Sequence, residues 1–128
     1  MGQQQLLLVI LGVIIVGIAI AFGISLFGAQ SIASNRDAMI NDLNHLASFA
    51  YQFRVRLRSM DGGQGDYTSF AIPTKMTWNE DGTYSVNSAQ VSSLTLLAVS
   101  TTNASNTIQV TVDSDGKLVN WSYGGDFQ

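Results

Sequence analysis

Cysteine is missing from all 128 residues, which removes both a disulfide framework and a thiolate metal site from consideration. Its absence says little about compartment, because a small domain can be stabilised by assembly instead. Proline occurs once, at Pro73, so nothing of that kind breaks a helix over residues 1–72. Charge is scarce, with Asp, Glu, Lys and Arg making up 12% of the chain, and the first charged side chain is Arg36. The single histidine, His45, has no Ser or Cys nucleophile motif beside it. No catalytic constellation stands out, so the chain is expected to be no enzyme and to require no cofactor or small-molecule substrate.

The apolar residues are concentrated rather than spread. Leu6 to Phe27 is an apolar run of 22 residues, roughly 33 Å as a helix, enough to cross a bilayer core of about 30 Å. Three readings fit it. A cleaved secretory signal is disfavoured, since no basic residue precedes the run and it exceeds the usual length of about 7–15 residues. A single-pass anchor fits by length, though the charges flanking the run do not orient it. A helix that leaves lipid to pack against copies of itself fits the small residues. Gly12, Gly17, Ala21, Gly23 and Ser25 include the pairs Gly17/Ala21 and Ala21/Ser25, spaced so that backbones can approach closely. Gly12, Gly17, Gly23 and Gly28 also weaken the helix, each by about 1 kcal/mol relative to Ala in water, so unwinding is expected first between Gly12 and Gly23.

From Ile32 the pattern becomes amphipathic. Met39, Leu43, Leu46, Ala50, Phe53, Leu57 and Met60 step alternately by four and three, a single apolar stripe over three heptads, widened by Ile40, Ala47 and Phe49. Asp61-Gly62-Gly63 marks the stop. One helix over about residues 3–60 is therefore expected, with segments 1–28 and 29–60 differing in what they bury. Arg54 and Arg58, one turn apart on this helix, are placed to meet acidic groups of a neighbouring copy.

Residues 61–128 change character, being rich in Ser, Thr, Asn, Asp and Gly. Lys75–Trp78 and Thr83–Val86 around Asn79-Glu80-Asp81-Gly82 read as a hairpin. Leu94–Thr101, Thr107–Val112 and Lys117–Tyr123 read as further strands, the last two joined by Asp113-Ser114-Asp115-Gly116. Alternation at Ile108, Val110 and Val112 gives one buried face, and the stripe on the helix is its natural cover. The fold class is α+β: a long helix with its C-terminal half laid on an antiparallel sheet of about four strands, the head being residues 61–128. Asp113-Ser114-Asp115-Gly116 lacks the spacing and closing Glu of a calcium loop and reads as a plain turn.

Charge is split as well. Residues 28–60 carry four arginines against two aspartates, and residues 61–128 carry two lysines against seven acids. An acidic head argues against nucleic acid as its partner and suits contact with the basic arm of another copy. Asn103-Ala104-Ser105 and Asn120-Trp121-Ser122 match the glycosylation acceptor pattern.

This plan resembles that of bacterial type IV pilins and pilin-like proteins: an apolar helix from the first residue, an amphipathic continuation and a C-terminal antiparallel sheet. With Met1 as a mature first residue, of the kind that family N-methylates, Leu6, Val9 and Ile10 fall on its apolar run. Gln5 stands where the family usually has a glutamate. The family's proline near Phe22 is absent, leaving Gly17 and Gly23 to take its part; cleavage that leaves Gln3 first is the alternative. The resemblance implies a structural subunit that waits in the cytoplasmic membrane and polymerises through its helix into an extracellular filament. It implies as partners other copies, a prepilin peptidase and the pilus assembly machinery. Met1, Gln3, Gln4, Gln5 and Leu6 then belong to the assembly interface, the glutamines supplying neutral amide partners in place of a charge. The alternatives are a single-pass anchor with a small extracytoplasmic β binding domain, and a secretion-system pseudopilin.

Overall fold

The computed structural model describes residues 2–128. Helix α1 covers Gly2–Val55, followed by 3-10 turns at Arg58–Met60 and Thr74–Met76. Four strands come next, β1 (Gly82–Ala89), β2 (Leu94–Ser100), β3 (Thr107–Val112) and β4 (Leu118–Gly124), and a 3-10 turn at Gly125–Phe127 ends the chain. This is the α+β layout expected. The residues divide into two compact units, one ending at Ala33 and one covering Ser34–Gln128.

In the first unit every described residue is helical. The helix passes through Gly12, Gly17 and Gly23 without a break, unlike the unwinding expected there. The Leu, Ile and Val side chains between the glycines carry no polar atom that competes for the backbone amides, so the helical hydrogen-bond ladder has no side-chain rival there.

In the second unit the strands run in the order β1-β2-β3-β4, every neighbouring pair antiparallel. The alternation read in β3 extends to β2: Leu94, Leu96 and Ala98 face Val112, Val110 and Ile108 across the ladder, and all six are fully buried. Met39, Leu43, Leu46, Ala47 and Ala50 of α1 are buried as well, with Tyr67, Phe70, Tyr84 and Phe127 completing the core. Gly82 leaves room for both neighbours: a Cβ there would stand 2.7 Å from the Val99 carbonyl oxygen and 3.2 Å from Met39 Cε. Truncating any of these buried Leu or Ile side chains to Ala costs about 2–5 kcal/mol.

The stripe is shorter than the heptads suggest. Leu57 and Met60, its last two steps, are exposed, because α1 ends at Val55. Phe49, expected to widen the stripe, is exposed too, whereas Ala47 is buried and Ile40 half-buried. The glycine-rich stop folds back onto the helix end. Gly63 N–H donates to the Phe53 carbonyl at 2.8 Å, Gln64 N–H to Arg56 at 2.9 Å and Gly62 N–H to Leu57 at 3.0 Å. These amides satisfy carbonyls that the end of a helix leaves without partners.

The expected hairpin over Lys75–Val86 forms only in part. Lys75 and Met76 belong to a 3-10 turn, and only a single bridge, Trp78 to Thr83, pairs across. The Asn79 side chain takes over the organisation of this turn. Its Oδ1 accepts from the backbone N–H of Asp81 at 2.9 Å and of Gly82 at 3.0 Å. This Asx turn closes a short hairpin in which Asn79 N–H donates to the Gly82 carbonyl at 3.0 Å and Tyr84 N–H to the Thr77 carbonyl at 2.7 Å, on either side of that bridge.

Candidate functional site

Two features of the chain invite a functional reading: the surface of residues 2–33 and the polar seam along α1 in the second unit. On the first, none of the described residues up to Ala33 is buried, and only Ile32 is half-buried. Leu6, Val9 and Ile10 lie exposed among the other apolar side chains, up to Phe27 at 77%. Gln3, Gln4 and Gln5 are exposed, as are Ala21 and Ser25. A Cβ built on Gly12, Gly17 or Gly23 would meet nothing within 4 Å. No contact among the described residues therefore requires these glycines. The helix is long and apolar enough to cross a membrane, its most apolar stretch having a mean hydropathy of 3.1. Met1 lies outside the described residues.

The seam is held by polar pairs. Near its start Asn35 Nδ2 donates to the Asp81 carbonyl at 3.0 Å, and Ser100 Oγ donates to Asn35 Oδ1 at 2.6 Å. Two turns further on, Asp42 Oδ2 accepts from the Tyr84 hydroxyl and from Asn79 Nδ2, the latter at 2.7 Å. Burial, then the bond to the Asp42 carboxylate, pushes the Tyr84 phenol far above its ordinary range. At the far end Arg54 Nη1 donates to the Ser114 carbonyl at 2.8 Å and its guanidinium lies 5.4 Å from the centre of the Tyr67 ring. Tyr67 in turn donates to the Asp113 carbonyl at 2.8 Å, and burial raises its phenol as well. Asn35 and Arg54 are about 28 Å apart along the helix axis, so these ties fix the helix on the sheet over five turns.

Arg54 and Arg58 do not form the basic pair expected. Arg54 is half-buried and committed to the β3–β4 turn of its own head, and Arg58 lies beyond the helix in an exposed 3-10 turn. Beside it the Asp66 carboxyl is held below its ordinary value, first by the Thr68 hydroxyl and N–H, then by the nearby Arg58 and Arg54 charges. Asp113-Ser114-Asp115-Gly116 is a turn: Asp113 Oδ1 accepts from the N–H groups of Asp115 and Lys117 at 2.9 and 2.8 Å. Asn103 and Asn120 are both exposed. Asn120 has φ of 55° where the β3–β4 register slips between Gln109 and Thr111, a left-handed bulge position that Asn tolerates. Among the described residues no cluster of three His, Asp or Glu could hold a metal ion.

Sequence reasoning passed over Asn35, Asp42 and Tyr84. The available signal was Asp42 itself, a lone acid between the stripe residues Met39 and Leu43. No family model, curated protein or solved structure matches the chain.

Proposed function

We propose that the chain is a structural subunit of a type IV pilus-like filament, assembled through its N-terminal helix. The observation that carries this reading is the exposed apolar surface of residues 2–33, punctuated by glycines that no contact among the described residues explains. Such a surface has two stable surroundings, lipid or other helices. Moving from one to the other gains little from the hydrophobic effect, because lipid tails are already apolar. Close packing at Gly12, Gly17, Ala21, Gly23 and Ser25 and amide pairing among Gln3, Gln4 and Gln5 then decide the assembled state. A contact that repeats without closing on itself gives an open helical polymer.

In this reading the subunit resides in the cytoplasmic membrane, is processed by a prepilin peptidase and is built into an extracellular fibre by an assembly machinery. The head, tied to the helix at Asn35, Asp42 and Arg54, forms the outer layer. Electron microscopy of material sheared from the cell surface, with the chain identified in the fibres by mass spectrometry, tests it. A single-pass anchor carrying a small β head is the second reading, favoured by the span's length and hydropathy alone. It leaves the chain in the membrane fraction, and a pseudopilin role gives short fibres or none.

A further inference from the structure

We propose that a hollow between α1 and the Asn79 turn binds one neutral pyranose ring. The hollow holds about 190 Å³ and is lined by Asp42, His45, Lys75, Trp78, Asn79 and Tyr84, all of the second unit. Its volume suits a single ring and no longer chain. At its edge stands Trp78, 70% exposed, with its backbone fixed by the bridge to Thr83 and no aromatic or cationic partner for its indole. No other large apolar side chain of residues 34–128 is as exposed.

The polar groups around the indole are free to bond outward. Both hydrogen bonds to Asp42 fall on Oδ2, leaving Oδ1 without a partner among the described residues. His45 and Lys75 make no side-chain hydrogen bond or ion pair within the described residues. A pyranose offers what this set lacks: an apolar face of C–H groups for a flat ring, and hydroxyls that both donate and accept. Asp42 Oδ1 accepts from one hydroxyl, and Lys75 Nζ donates to another. An anionic ligand would face the Asp42 carboxylate and a cationic one the Lys75 ammonium, so the mixed set favours a neutral ring. The Tyr84 and Asn79 bonds hold the Asp42 carboxylate in place before any ligand arrives, which lowers the ordering cost of binding. Nothing in this inference rests on the filament reading, since an anchored head would present the same hollow.

The test uses the full chain in micelles of lauryldimethylamine oxide, a detergent with no sugar headgroup. Glucose, galactose, mannose and N-acetylglucosamine are titrated against the ¹⁵N-labelled protein while the indole N–H signal of Trp78, assigned with Trp78→Phe, is followed. At least one sugar is expected to shift it saturably, with a dissociation constant on the order of 1–10 mM, the range for about a dozen heavy atoms. Trp78→Ala weakens that binding about tenfold or more, followed by saturation-transfer signals on the sugar. Lys75→Ala weakens it several-fold without changing the melting temperature. Failure of all four sugars to shift the signal overturns the proposal, as does undiminished binding by Trp78→Ala. Loss of filaments in Trp78→Ala cells with no sugar response overturns it in favour of a contact between copies.

Discussion

The Tyr84 hydroxyl donates to Asp42 Oδ2, tying the first strand of the sheet to the middle of the helix that covers it. Tyr84 is buried, and the same carboxylate oxygen also receives Asn79, the residue that shapes the turn before β1. One acid thus sets both the height of the helix on the sheet and the entry of the chain into it. Tyr84→Phe keeps the ring in the core but removes the proton the carboxylate uses. A loss of about 1.5–3 kcal/mol is expected, the range for a hydrogen bond to a charged group, measured by denaturant unfolding of the full chain in micelles.

The same pair gives a pH dependence. The folded state holds the Tyr84 and Tyr67 phenols above their ordinary range, chiefly by burial. Unfolded, each loses its proton near pH 10. Their contribution is complete below that value and is lost as pH rises through it, because the unfolded state then binds fewer protons than the folded one. Melting temperature should therefore fall above about pH 10, and Tyr84→Phe should flatten that fall. An alkaline limb as steep in the variant as in the parent would remove Tyr84 from the account.

The two arginines separate cleanly. Arg54→Ala removes the bond to the Ser114 carbonyl and the cation over Tyr67, at a cost of about 1–3 kcal/mol. Amide exchange in the turn from Asp113 to Lys117 should quicken with it. Arg58→Ala touches no such contact and should change stability by less than about 0.5 kcal/mol. In a filament Arg58 is the arginine left to meet a neighbour's acids, so Arg58→Ala alone should alter how readily salt sheds fibres.

Gly116→Ala meets two obstacles at once. Its φ of 83° disfavours any side chain, and a Cβ there would stand 2.8 Å from the Tyr51 ring. Destabilisation of about 1–3 kcal/mol is expected, read as a drop in melting temperature.

The elements that show one strong period were legible in the sequence. The helix from the apolar run through Ala50 and strand β3 over Thr107–Val112 appear where their patterns place them, whereas the helix ends at Val55, ahead of the stop expected at Asp61-Gly62-Gly63. The heptad pattern overran at Leu57 and Met60, since periodicity registers apolar spacing and cannot register that the chain has already turned away. The hairpin expected over Lys75–Val86 is shorter than its pattern because Lys75 and Met76 wind into a 3-10 turn, leaving Thr77–Asn79 to pair with Gly82–Tyr84. The polar seam was hidden for a different reason. Asn35, Asp42 and Arg54 are ordinary surface residues until the sheet supplies Ser100, Tyr84 and Ser114, partners 60 or more residues away for Asn35 and Arg54 and 42 for Asp42. The glycines of residues 2–33 were visible as spacing, and the structure adds that none of the described residues occupies the room beside them.

The central claim is that the exposed helix of residues 2–33 packs against copies of itself in a fibre. It is tested most directly by electron microscopy of sheared surface material from cells producing the parent chain, Gln5→Ala and Gly17→Leu at equal membrane levels. Expected are fibres containing this chain for the parent, a modest reduction for Gln5→Ala, and none for Gly17→Leu, whose side chain fills the space that close backbone approach needs. Normal fibre yield from Gly17→Leu cells, or a parent chain recovered only in the membrane fraction, would contradict it.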